Sequence, residues 1–325
     1  MPKTKPVARP LMTVRGLKKQ FPVGKRLLTK EPKAWLRAVD GIDLEVYSGK
    51  TLGLVGESGC GKSTLGRLLI RLLEPSDGQI KIGDQDISHL SGRSLQALRH
   101  RFQMVFQDPM GSLDPRMKIG KSMAEPMIIS GSGERRERIA EMLEAVSLSA
   151  DIVDSYPHEF SGGQRQRICI ARALTLGPEL IVADEPVAAL DVSVQAQIVN
   201  LFQDIQDRTG LGYVFISHDL GIVRHIADDV AVMYLGRIVE RGPVKAVLDT
   251  PAHPYTRALV SAILPPRPTG SRFVPPVSGD LPSPMNIPEG CRFASRCPMA
   301  KQICREEEPS LMKVLGSHQA ACHFS

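Results

Sequence analysis

Thr51-Leu-Gly-Leu-Val-Gly56-Glu57-Ser58-Gly59-Cys60-Gly61-Lys62-Ser63-Thr64 decides the fold. Its first five residues read as a short buried strand. The next stretch is a glycine-rich turn, and a helix is expected from near Lys62. Gly-x-x-x-x-Gly-Lys-Ser/Thr between a strand and a helix is the phosphate-binding P-loop pattern, and here every position matches. The glycines let backbone N–H groups wrap a phosphate, and the helix N-terminus adds a favourable dipole. Lys62 is placed to reach β- and γ-phosphates, and Ser63 to ligate Mg²⁺.

Working outward, the spacing predicts the other elements. Ile42, Leu44 and Val46 alternate with Asp43 and Glu45, as in a half-buried strand. Asp77-Gly78 reads as a turn after the P-loop helix, and Phe102–Phe106 as a short strand. Residues 110 to 176 look largely helical, with Ile139, Met142, Leu143 and Val146 at helical spacing in Arg135–Leu148. Leu180–Ala183 and Tyr213–Ile216 are apolar runs of buried-strand type. Between them Val194, Ile198, Leu201 and Ile205 predict a helix ending at Gly210. Val230–Leu235 and Ile238–Glu240 flank Gly236-Arg237, a hairpin signal. Short apolar strands alternating with helices imply an α/β fold with a mostly parallel, doubly covered sheet. The early β and the central helical block are additions to it.

Two further stretches complete a site. In Leu180-Ile-Val-Ala-Asp184-Glu185, Asp184 ends a buried strand, where a carboxylate can hold the Mg²⁺ shell. Glu185 follows and is placed to orient or deprotonate an attacking water. Ser161-Gly162-Gly163-Gln164 opens a helix with Ser161 as N-cap. A lone SGGQ or a lone acidic pair is weak, but together with the P-loop they are not.

With these motifs the sequence resembles the nucleotide-binding subunits of ABC transporters over roughly residues 11–325. The resemblance implies a P-loop ATPase core with an antiparallel β subdomain and a helical subdomain. It makes Ser161, Gly162, Gly163 and Gln164 the signature that contacts ATP held by the opposite subunit. It makes Gln107, in Phe106-Gln107-Asp108-Pro109, the Q-loop residue beside the γ-phosphate and Mg²⁺. Asp191, in Ala189-Leu190-Asp191, becomes the D-loop, and His218, in Ile216-Ser217-His218-Asp219, the switch histidine. Glu185, His218 and Gln107 are thus the expected catalytic residues. Phe21 fits the adenine-stacking position, with Trp35 as its rival. Phe160 before the signature and Ala188 in the D-loop region depart from commoner family residues without removing a catalytic group.

The segment His253-Pro254-Tyr255-Thr256-Arg257-Ala258-Leu259 and the stretch Asp184–Gln197 are similar to the oligopeptide and dipeptide importers of that family. That likeness implies a peptide importer, with nickel or another small solute as the alternative cargo. It implies a second ATPase subunit, forming a heterodimer, two permeases and an external binding protein, and no nucleic acid. A soluble ATPase of DNA repair or translation is the rival class. Such a protein would offer a long coiled-coil insertion or tandem cassettes, and neither is seen here.

Eight prolines fall between Pro265 and Pro288, which argues against a helix or central strand there and reads as an extended linker. The expected division is a nucleotide-binding domain over 1–262, with its helical part at about 108–176, and a linker with a small C-terminal module over 263–325. That module holds Cys291, Cys297, Cys304 and Cys322 at spacings without any CxxC pair. Neither zinc nor ferredoxin spacing is met. The resemblance points to a [4Fe–4S] cluster first and zinc second, with free thiols third. Cys60 and Cys169 read as bystanders.

The chain has 325 residues, 42% of them hydrophobic, ample for a packed core. Its net charge of +6 suits phosphate-rich ligands or an anionic membrane, and an ordinary basic protein equally well. No run approaches the about 20 apolar residues a spanning helix needs, and no signal-peptide core is seen. The expected location is the cytoplasmic face of the cell membrane, held there by partners.

Overall fold

The computed structural model describes residues 9–25, 32–133, 136–262, 282–283 and 285–325. Nearly all of the proline-rich linker expected after residue 262 lies outside the described residues.

The parallel sheet forms as the apolar runs predict. Strands Phe102–Val105, Leu180–Asp184, Gly212–Ile216, Thr51–Val55 and Asp229–Tyr234 lie side by side and parallel. Leu180–Asp184 and Gly212–Ile216 are buried along their whole length, which is why they show no polar alternation. The sheet then continues antiparallel through Arg237–Pro243, His318–Ala320 and Met312–Leu315. The strands His318–Ala320 and Met312–Leu315 therefore extend the edge of the main sheet.

A second, antiparallel sheet holds Pro32–Val46, Met12–Lys25, Asp77–Ile82 and Gln85–Asp86. Its inner residues Val14, Leu17, Ile42, Leu44 and Val46 pack with Leu54, Leu65, Leu68, Val182 and Ile216 of the main body. This core clamps the P-loop helix Lys62–Leu69 between the two sheets.

Two turn expectations shift. Asp77 and Gly78 begin a strand and do not form a turn. Gly78, at φ 94°, lies so close to Gly16 and Leu17 that a Cβ would sit about 2.5 Å from the Gly16 carbonyl oxygen. Its glycine serves a close strand approach. The later hairpin turns on Leu235-Gly236, one residue earlier than expected, since Arg237 pairs with Tyr234. Leu235 and Gly236 both take positive φ, as a two-residue hairpin turn requires.

The middle block is helical as expected, with Pro109–Ser112, Ile119–Ile129, Arg136–Ala145 and Gly162–Leu174, the last two separated by two short 3₁₀ turns. Ile139, Met142, Leu143 and Val146 are all buried, as their spacing requires.

A third core cluster joins the C-terminal residues to the main body. Tyr234, Tyr255 and Phe293 pack with Val55, Val230 and Val232. Beside it, Glu240 is wholly buried and accepts the N–H groups of Ala252 and His253, with His318 Nε2 2.7 Å away.

His253 caps the helix Pro254–Ser261 by accepting the N–H of Tyr255 at Nδ1, a bond that only the neutral ring makes. Burial, aided by Arg257, lowers its pKa to about 4. The unfolded imidazole binds its proton near pH ~6.5. Its contribution to stability is therefore present above that pH and lost as pH falls toward 4. Thermal melts from pH 7 to 5 are expected to fall less steeply for His253→Asn, which keeps a cap without a titrating ring. Parallel slopes would contradict this.

Candidate functional site

The loop after Val55 closes on itself through backbone geometry that only glycine supplies. Gly61, the N-cap of the Lys62–Leu69 helix, has φ 108°, and a Cβ there would stand about 2.1 Å from the Ala38 carbonyl oxygen. The loop thus lies tight against the antiparallel sheet and the hairpin turn.

A cavity of about 340 Å³ opens over this loop. Its walls include Ser58, Gly59, Cys60, Gly61, Lys62, Ser63 and Thr64, joined by Phe21, Gln107 and Glu185. Lys62 is buried, and its ammonium donates to the carbonyls of Gly56 at 2.8 Å and Glu57 at 3.1 Å. It is held inside the loop, where phosphate oxygens would meet it.

Ser63 Oγ donates to Asp184 Oδ1 at 2.9 Å. Burial raises the Asp184 carboxyl, and the Ser63 bond opposes that rise. A hydroxyl and a carboxylate in contact beside a phosphate loop are the hard oxygen donors that suit Mg²⁺. These two residues would hold the ion, which supplies neutralisation of phosphate charge.

Glu185 stands where the strand Leu180–Asp184 ends. It has φ 47°, a conformation that costs a non-glycine residue roughly 1–3 kcal/mol. Its N–H donates to the Ile216 carbonyl, which fixes the turn. The strained backbone directs the carboxylate at His218, whose Nδ1 lies 3.2 Å from Glu185 Oε2. His218 is exposed, while the Glu185 side chain is 18% exposed. A carboxylate beside a histidine at the mouth of a phosphate cavity is suited to take a proton from water.

Gln107 is exposed and lines both this cavity and the neighbouring one of about 660 Å³, which also reaches Ser63, Asp184 and Arg172. It therefore sits between the phosphate loop and the helical block. Phe21 is in the cavity wall, whereas Trp35 is exposed on the next residue pair of the same ladder and outside that wall. The wall also uses Leu36, Arg37, Ala38, Leu235 and Gly236. Sequence reading missed these five, and only the hairpin signal at Gly236 hinted at any of them.

The signature residues are elsewhere. Ser161 caps the Gly162–Leu174 helix by accepting from Gln164 N–H, while Ser161 N–H donates to Gln164 Oε1. Ser161, Gly162 and Gln164 are exposed and line neither cavity. Asp191 is the exposed N-cap of the helix Val192–Thr209. None of these groups lines the chain's own P-loop cavity.

Cys60 and Cys169 are buried, and burial raises both thiols, that of Cys169 to about 12. Neither is a reactive thiol. The four terminal cysteines come into one neighbourhood. Burial pushes Cys291 up to about 11, and the nearby thiols of Cys304, Cys297 and Cys322 add to the rise. The Cys291 N–H also donates to the Cys304 carbonyl. Nevertheless, among the described residues no three His, Cys, Asp or Glu side chains are arranged to hold a metal ion. The expected metal staple is thus not drawn together: Cys291 and Cys297 pack against the Tyr255–Phe293 cluster, and Cys322 accepts from Phe324 N–H.

The ABC transporter family profile matches residues 39–188, and the oligopeptide/dipeptide transporter C-terminal region matches 239–304. The chain is 50% identical over 322 residues to the oligopeptide transport ATP-binding protein AppF of Bacillus subtilis, covering 97% of each. This chain belongs to the ATP-binding subunits of ABC transporters. It is similar also to the dipeptide transport ATP-binding protein DppF of Haemophilus influenzae, at 49% identity and 96% of each chain. Among solved structures, the dimeric bacterial ABC transporter cassette MJ0796 aligns with a TM-score of 0.63 and 26% identity. That alignment covers 72% of this chain and 98% of the cassette. As an ABC subunit the chain is an ATPase.

Proposed function

We propose that this ABC subunit hydrolyses ATP to drive import of dipeptides or oligopeptides. It does so as one of two ATPase chains beneath two membrane permeases, with an external binding protein choosing the cargo. The observation that carries this reading is the coupling of a full ATP site to a C-terminal region of the peptide-transporter type at residues 239–304. Relatives named for oligopeptide, dipeptide and di/tripeptide transport support it. No helix among the described residues is long and apolar enough to cross a membrane. In this reading the permeases hold the chain at the cytoplasmic face.

The signature residues support a shared site, since Ser161, Gly162 and Gln164 are exposed and none of the four lines its own P-loop cavity. In that reading Lys62, Ser63, Asp184, Gln107, Glu185 and His218 of one chain bind ATP, with Phe21 against the base. Ser161, Gly162, Gly163 and Gln164 of the other chain close over the γ-phosphate, and Asp191 crosses between them. The division near residue 262 marks the start of a C-terminal module that nevertheless shares the main sheet.

Detergent extraction is the test. The tagged chain is expected to bring down two permeases and a second ATPase, and its disruption to abolish peptide uptake. Loss of nickel uptake with peptide uptake intact would overturn the cargo.

The four-cysteine module is also proposed to take up a metal, as an iron–sulfur cluster before zinc. The support is limited to the thiols of Cys297, Cys304 and Cys322 lying near enough to Cys291 to raise it, while no ligand set is formed among the described residues. Protein purified without oxygen is expected to be brown and to contain iron. Colourless protein loaded with zinc would overturn the cluster.

A further inference from the structure

The C-terminal residues do more than extend the sheet. Glu57 is the first residue after Gly56 in the phosphate loop, and it is held on three sides. Its N–H donates to the Tyr255 hydroxyl at 2.7 Å. Its carbonyl accepts from Lys62 Nζ. Its carboxylate takes a two-pronged bond from Arg296, with Nη1 at 2.8 Å and Nη2 at 3.0 Å.

Arg296 lies 239 residues along the chain from Glu57, so the pairing exists only when the terminal module has folded back. Its side chain is 7% exposed, against 28% for Glu57. The guanidinium stands 5.9 Å from the centre of the Tyr234 ring, and Nη1 reaches the Tyr234 hydroxyl at 3.4 Å. Tyr234 packs in turn against Tyr255 and Phe293, with ring centres 4.7 and 5.3 Å away. Arg292, four residues earlier, anchors the same segment through Asp40 and the Leu235 carbonyl. Burial pushes the Asp40 carboxyl up, and Arg292 outweighs that, leaving it below its ordinary range.

We infer that Arg296 is a positioning residue for ATP binding: through Glu57, and together with Tyr255, it sets the shape of the phosphate loop. The inference rests on the ATPase site and not on the cargo or on any metal. A planar fork gripping a carboxylate fixes direction as well as distance, which a lysine ammonium does not. Because Glu57 also receives the Lys62 ammonium, loosening Glu57 releases the group that meets the β- and γ-phosphates. The loop's shape is then no longer prepaid by the fold, and nucleotide binding must supply it.

The test measures binding of a fluorescent ATP analogue, ATPase KM and kcat, and thermal melting in the full-length chain. The variants are Arg296→Gln, Glu57→Gln and the double variant. Each single change is expected to weaken ATP binding and raise KM about tenfold, in the usual range of coupling between sites, with kcat at saturating ATP retained. The double variant is expected to be no weaker than either single one, as for two halves of one interaction. Arg296→Lys should recover only part of the affinity. A purely structural role would lower the melting temperature and leave affinity and KM unchanged, and that result overturns the inference. Should Arg296→Gln fail to fold, the partly exposed Glu57→Gln decides alone: parental ATP affinity in that folded variant overturns it equally.

Discussion

Glu185→Gln is expected to bind ATP as the parent does and to lose about 10²–10⁴-fold in turnover, the usual worth of a positioned general base. At 1.36 kcal/mol per tenfold, that is roughly 3–5 kcal/mol of barrier. Glutamine keeps the shape and the main-chain bond from residue 185 to the Ile216 carbonyl. It cannot take a proton from water, and it replaces the charged partner of His218 with a neutral amide. The Lys62 bond to the Gly56 carbonyl and the Ser63–Asp184 pair are untouched. The variant should therefore accumulate ATP-bound, closed dimers, read by size-exclusion chromatography with and without ATP. Parental turnover in this variant removes Glu185 from the chemistry.

The second large effect is expected at Gly163. A Cβ there would stand about 2.6 Å from Val194 Cγ1, closer than real contacts come. Val194 is β-branched and stiff, so it cannot simply swing aside. Gly163→Val must shift the start of the Gly162–Leu174 helix, and with it the exposed N–H groups that Ser161 and Gln164 arrange. Removing preorganised donors from a developing charge costs about 10²–10³-fold in rate. Gly163→Val should lose turnover on that scale, while ATP binding to its own P-loop, which Gly163 does not line, stays at the parental level. A binding loss equal to the rate loss would mean that the change acts by disturbing the fold.

Much of this was legible in the residues. Thr51–Thr64 carries a strand, a turn and a helix start whose chemistry is local, and Leu180–Glu185 puts its acids where a fully buried run must end. The contact between Glu185 and His218 was not legible, because it depends on two strands being neighbours in a parallel sheet. The turn at Leu235-Gly236 was read one residue late because leucine rarely takes positive φ, and only the ladder shows it. Arg292 and Arg296 sit between cysteines in a polar tail and look like solvated charges. Their partners Asp40 and Glu57 are more than 200 residues away, and no local pattern announces such pairs. The cysteines illustrate the opposite limit, since their grouping in sequence is not matched by a ready-made ligand set among the described residues.

The central claim is that each ATP is held by two chains, one giving the P-loop and the other the signature. It is tested most directly with the second ATPase absent, so that two copies of this chain form the pair, by mixing a Lys62→Met chain with a Gly163→Val chain and measuring ATP turnover. Each variant alone is expected to be inactive, and the mixture to regain activity, because a mixed pair contains one intact P-loop facing one intact signature. A mixture that forms pairs yet hydrolyses no more ATP than the sum of its two components would contradict the account.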